Sequence, residues 1–224
     1  MTVRIRDAAS LILLRHGTDV LMGQRAGTAA FMPSKFVFPG GAVDADDANL
    51  PFAAPLNPVC AARLALDSDP APATLAAAAI RELFEETGQR LSAPGGWPQP
   101  PAPWGPFAQT GHLPDASALR YIFRAVTPPG RPRRFDARFF LADASALSTD
   151  PDDFSQAQPE LQHLHWVPLD RVRDLDLPFI TGIVLAEVAA RLRGHDPATI
   201  PMMRHDDEAR AFIRLGGRTP MDPG

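Results

Sequence analysis

At 224 residues and 45% apolar composition, the chain is long enough to bury a sizeable core, as one large domain or two small ones. A formal net charge of −4 argues against a protein that works by neutralising nucleic-acid phosphates or by lying on an anionic membrane, which leaves small-molecule chemistry as the better fit. The single cysteine, Cys60, excludes an intramolecular disulfide and provides no zinc-site spacing.

In chain order, the apolar run Ala8 to Leu14 is too short to span a membrane and lacks a small-residue cleavage pattern. It is expected as a strand, with a cytoplasmic location as the default. Ala8 to Arg15 and Asp19 to Arg25 flank His16-Gly17-Thr18 and predict a hairpin. Lys35 to Phe38 predicts a third short strand, broken by Pro39-Gly40-Gly41, where the absence of side chains lets another group approach the backbone. Thr74 to Thr87 predicts a helix capped by Thr74 and ended by Gly88. Leu75, Ala79, Ile80, Leu83 and Phe84 form its apolar stripe, expected to pack on a sheet.

Many of the 25 prolines cluster between Leu50 and Pro72 and between Pro94 and Pro114, marking irregular connections. Arg120 to Val126, Ala137 to Ala142 and Leu161 to Val167 predict strands, and Ile180 to Leu192 a second amphipathic helix. Ile200 to Arg204 and Ala209 to Leu215, around His205 to Glu208, predict a terminal hairpin. Strands and helices interleave without an evident linker, so the expectation is one α/β domain over residues 1–224, with a mixed sheet between helices.

The chemistry concentrates in Arg81-Glu82-Leu83-Phe84-Glu85-Glu86-Thr87-Gly88. Helical spacing gathers Glu82, Glu85 and Glu86 near the negative end of the helix dipole. Each like-charged pair there is unfavourable by roughly 0.2–0.5 kcal/mol. A bound Mg²⁺ or Mn²⁺ would reverse the sign, because hard cations seek carboxylate and carbonyl oxygens. The bland alternative is a solvated acidic helix face.

Together with Phe38-Pro39-Gly40-Gly41, this segment resembles the Nudix box: Gly, five residues, Glu, seven residues, then Arg-Glu-apolar-X-Glu-Glu-X-Gly. Arg81 to Gly88 match its second half without a gap. In the first half, five residues after Gly41 comes Asp47, where the pattern has Glu, and residues 48–80 stand where the pattern has seven. An insert at about 45–73 therefore interrupts the box, which loop-closure entropy tolerates. In this interruption, and in Arg133-Arg134-Phe135-Asp136-Ala137-Arg138-Phe139-Phe140, the chain resembles the branch that includes the peroxisomal coenzyme A diphosphatase. Gln89 departs from the family's preference for an apolar residue after Gly88.

The resemblance implies a Nudix-like α/β/α sandwich and metal-dependent hydrolysis of a diphosphate-linked nucleotide compound, most directly coenzyme A or acyl-CoA. ADP-ribose or a dinucleotide is the alternative substrate, and a non-catalytic nucleotide-binding module the alternative class. Glu82 and Glu86 would be metal ligands, Glu85 a further ligand or the holder of a metal-bound water, and Gly40 would add a carbonyl oxygen. Arg81 would orient the carboxylates.

Glu160 is the candidate general base, or else a solvent-facing loop residue. Arg25, Gly41, Arg134 and Arg138 are the candidate substrate contacts. His163 and His165 alternate on one strand and could share a face toward metal or solvent. Trp97, Trp104 and Phe107 would stack on a base or anchor a loop. The insert, including Cys60, carries no readable chemistry, although its position suits shaping specificity or forming a homodimer contact.

Overall fold

A computed structural model describes residues 3–29, 31–195, 197–205 and 210–214. The chain opens with β1 (Ile5–Arg15) and β2 (Asp19–Arg25), antiparallel across a tight turn in which His16 and Gly17 both take positive φ. The two strands pair only through Leu14↔Val20 and Arg15↔Asp19, then diverge. The wedge between them is filled by β3 (Phe36–Val37), which pairs with β2, and β4 (Gly40–Ala42), which pairs with β1. The Pro-Gly-Gly turn is thereby set inside the split of the sheet, where the Leu11 amide donates to the Pro39 carbonyl.

The insert continues as a single 3-10 turn (Ala45–Asp47) and α1 (Pro58–Leu64). Next comes α2 (Pro72–Thr87). This helix starts two residues earlier than expected, and Thr74 is not its cap. Pro72 occupies the first turn, where its fixed φ suits the helix and its missing N–H leaves no donor unsatisfied, and no side chain caps the end. Gly88 ends the helix at φ 75°, as the sequence predicts.

After β5 (Ser92–Pro94), α3 (Gly105–Ala108) and β6 (His112–Pro114), the sheet resumes with β7 (Arg120–Val126) and β8 (Arg134–Asp143). β8 runs parallel to β1 in continuous register from Ile5↔Arg134 to Leu14↔Asp143, which is why both strands start three residues before their apolar runs do. β9 (Leu161–Pro168) pairs with β2, α4 (Phe179–Leu192) follows, and β10 (Pro201–His205) pairs with β7 and with β11 (Arg210–Arg214). The turn proposed around His205 to Glu208 lies largely outside the described residues.

Among the described residues, nine strands form one mixed sheet of order β11-β10-β7-β8-β1-β2-β3, with β4 beside β1 and β9 beside β2. The layering is the expected α/β/α sandwich. On one face Ala9, Leu11, Leu13 and Phe140 pack against Leu75, Ala79, Ile80 and Leu83 of α2 and Cys60 and Leu64 of α1. On the other, Ile12, Met22, Phe123 and Phe139 pack against Val184, Leu185 and Val188 of α4. Truncating Leu83, which is 0% exposed, to alanine would cost about 2–5 kcal/mol.

The helix is covered on more sides than its predicted stripe requires, since Ala76, Ala77 and Ala78 are buried as well. Phe84, by contrast, is only half-buried and meets Phe107 edge-on outside the sheet contact.

Candidate active site

The wedge strand brings backbone against the C-terminal half of α2. At Gly40, with φ 156°, a Cβ would lie 2.5 Å from the Ala9 carbonyl oxygen, and at Gly41 it would lie 2.5 Å from the Glu82 carboxylate. Only glycine lets the turn come this close. The Gly40 amide then donates to Glu86 Oε2 at 2.7 Å.

Glu86 is 2% exposed, and its other oxygen, Oε1, is buried with no hydrogen-bond partner among the described residues. Burial raises its proton affinity well above the ordinary carboxylate range, Glu82 raises it further, and the Gly40 amide opposes this. Burial likewise pushes Glu82 up to about 7, against the pull of Arg81, with Glu85 and Glu160 adding to the rise. Glu85 is also raised, first by burial.

Arg81 holds the group together. It is 7% exposed, and its Nη1 donates to Glu82 Oε1 at 2.8 Å and to Glu85 Oε2 at 3.1 Å. Nε and Nη2 donate to the two oxygens of Asp47 at 2.8 and 3.0 Å, and Nη2 also to the Ala42 carbonyl at 3.0 Å. Burial alone would weaken the charge of Arg81, but Asp47, Glu82 and Glu85 raise its proton affinity above the ordinary value. Asp47 in turn accepts from the Trp104 indole at 3.1 Å and from its own turn's Asp44 amide at 2.8 Å. The first residues of the insert thus carry structure the sequence reading missed. The signal was the five-residue spacing from Gly41 to Asp47.

Glu160 precedes β9 and pairs with Arg25 at the end of β2, 2.9 Å apart. Its charge raises the proton affinity of Glu82, Glu85 and Glu86 alike, so it stands within electrostatic reach of all three. The loop that delivers it is fastened to the end of α2. Gln89, 0% exposed, donates to the carbonyls of Asp150 and Asp153 and accepts from Thr149, and the Gln158 amide donates to the Glu85 carbonyl. The polar residue where the family prefers an apolar one is therefore buried and satisfied.

Other candidates fall elsewhere. Arg138 is corrected: at 1% exposure it is bound to Asp7, Asp136 and Ser68, and contacting substrate would break this buried network. Arg134 is half-buried and donates to the Thr127 carbonyl. His163 takes φ 51° beside the register shift at Met22/Gln24, so the strand does not alternate regularly there; both histidines are exposed, and the His165 ring bonds back to the His163 carbonyl. Trp104 and Phe107 are buried and pack on each other, with Trp97 5.6 Å from Trp104, so the aromatic group anchors its loop.

Among the described residues no group of three or more acid, histidine or cysteine side chains is arranged, as it stands, to hold a metal ion. The residues nevertheless fit a divalent cation. Among the described residues a buried carboxylate oxygen has no partner, two neighbouring carboxylates have raised proton affinity, and the side chain that hydrogen-bonds to both of these is Arg81, which also serves Asp47.

A split α/β/α sandwich that seats a glycine turn on a glutamate-bearing helix defines the Nudix class of fold. The solved Nudix hydrolase of Alicyclobacillus acidocaldarius is 33% identical, with 84% of this chain and 93% of that one covered at a TM-score of 0.65. The acyl-coenzyme A diphosphatase NUDT19 of Gallus gallus is 31% identical, over 66% of this chain and 53% of that protein. The chain spans about half the length of the curated relatives it matches, and no family model matches it. This chain belongs to the Nudix hydrolase family.

Proposed function

We propose that the chain hydrolyses the diphosphate of coenzyme A or an acyl-CoA, with Mg²⁺ or Mn²⁺ as cofactor. The observation that carries the metal reading is the buried Oε1 of Glu86, without a partner among the described residues, beside Glu82 and Glu85. The substrate rests on the likeness to an acyl-CoA diphosphatase. Glu82, Glu85 and Glu86 would hold the cation, with the Gly40 carbonyl as a further oxygen. When bound, the cation polarises the phosphoryl oxygen and offsets charge on the leaving phosphate.

The chain's own residues do the rest. Glu160 accepts a proton from the water that attacks phosphorus, the bridging P–O bond breaks, and the leaving phosphate oxygen carries away the electron pair. Arg25 would restrain Glu160 through their ion pair and is the candidate contact for a substrate phosphate. Gly41 leaves the Glu82 carboxylate free to sit against the backbone, where a Cβ would lie 2.5 Å from it.

Products would be 4′-phosphopantetheine, or its acyl form, and adenosine 3′,5′-bisphosphate. Assaying coenzyme A, acyl-CoA, ADP-ribose and NADH with each metal tests the reading. Higher kcat/KM for the coenzyme A compounds is expected, and preference for ADP-ribose would overturn the substrate assignment.

A further inference from the structure

We propose that Trp104 is a positioning residue for the acid cluster, acting through Asp47 and Arg81. This inference rests on the reading of Glu82, Glu85 and Glu86 as cation-holding carboxylates. Trp104 lies in the proline-rich stretch, remote in sequence from the motif, and is 0% exposed. Its indole N–H donates to Asp47 Oδ1, the same oxygen that receives Arg81 Nε. Asp47 is itself 1% exposed and Arg81 7%, so the links from the indole through Asp47 to Arg81 lie out of bulk water, where hydrogen bonds to charge are strong and displacement is resisted.

A buried tryptophan needs some acceptor for its N–H, and a loop carbonyl would serve a purely structural role. Here the acceptor is the carboxylate that fixes Arg81. Aspartate stands where the Nudix pattern has glutamate, and its stem is one methylene shorter. The Asp44–Asp47 turn and the indole on opposite oxygens hold that short carboxylate in the one place where Arg81 can grip both oxygens and still reach Glu82 and Glu85 with Nη1. Trp97 and Phe107, with ring centroids 5.6 and 5.3 Å from Trp104, keep the ring from tilting away.

Trp104→Phe keeps an aromatic ring and removes the N–H. Its Mn²⁺ dissociation constant, measured by electron paramagnetic resonance of the free ion, is expected to rise roughly three- to tenfold, a milder effect than losing a direct partner of a ligand. The Arg81 Nε–H resonance should shift, kcat should fall and KM should stay within about twofold, since the substrate is untouched. Phe107→Leu loosens the same aromatic cluster without touching Asp47, and should lower the melting temperature while leaving Mn²⁺ affinity alone.

Unchanged Mn²⁺ affinity and an unmoved Arg81 resonance in Trp104→Phe, or an equal loss of affinity in Phe107→Leu, would overturn the proposal. If Trp104→Phe does not fold, Mg²⁺ titration of the unsubstituted protein decides: the Trp104 indole and Arg81 Nε–H signals should move together, and a fixed indole beside a moving Arg81 contradicts the relay. Mn²⁺ binding that survives Glu86→Gln would instead sink the metal reading beneath it.

Discussion

Arg81 grips both oxygens of Asp47 at 2.8 and 3.0 Å, joining the glutamate-bearing helix to the first turn of the insert. Both partners are buried, so the pair is a geometric fixture rather than a surface ion pair, and removing one side strands a charge.

Asp47→Asn keeps the shape and removes the charge. It should lower stability by about 3–5 kcal/mol, the range for breaking a buried pair, and reduce kcat more than it raises KM. Urea unfolding alongside steady-state kinetics checks both. Stability within 1 kcal/mol of wild type would show that Arg81 finds its counter-charge elsewhere.

Glu86→Gln should act in opposite directions on fold and function. The metal-free protein loses a buried carboxyl group that is costly to ionise and whose Oε1 has no partner among the described residues, so its melting temperature should hold or rise. Mn²⁺ binding should drop by tenfold or more. Thermal melts with and without Mn²⁺ read both effects in one experiment.

Stability of the metal-free protein should fall as pH rises. Folding lifts the proton affinity of Glu82 to about 7, and raises Glu85 and Glu86 as well. From the ordinary carboxylate range up to about pH 7, the folded chain therefore binds more protons than the unfolded one. The stabilisation is complete at low pH and lost on rising through that window. A divalent cation needs the deprotonated acids, so Mg²⁺ should raise the melting temperature more at pH 8 than at pH 5.5. At about 2–4 °C per kcal/mol for a chain of this size, the difference is measurable by calorimetry. A shift that is equal at both pH values would contradict the assignment of these carboxylates.

Gln89→Leu removes three hydrogen bonds to residues 149–153 while keeping a similar volume. Hydrogen exchange across residues 149–160 should accelerate, and kcat should fall because Glu160 loses its fixed approach. Unchanged exchange would mean that Gln158 on the Glu85 carbonyl suffices to hold the loop.

Much of this was legible in the chain. The hairpin at His16-Gly17, the left-handed end of α2 at Gly88, and the strand from Arg120 to Val126 follow from local chemistry, which sequence reports directly. The glutamates on one helix follow from spacing, and the glycines opposite them from the resemblance to the Nudix box. What was not legible depends on contacts between distant segments. Trp104 reads as a loop anchor until its indole is seen on Asp47, and Gln89 as a defect until the loop carbonyls reach it. Arg138 looks like a phosphate ligand by type, but parallel pairing of β8 with β1 places it beside Asp7. Thr74 has the composition of a cap, yet Pro72 starts the helix first.

The most direct test is release of adenosine 3′,5′-bisphosphate from coenzyme A, followed with Mg²⁺ or Mn²⁺ and with chelator, by the wild-type chain and by Glu86→Gln. Metal-dependent release by wild type, lost with chelator and reduced at least a hundredfold in the variant, is the expected result. Release at the wild-type rate by Glu86→Gln, or in the presence of chelator, would contradict a cation held at that carboxylate.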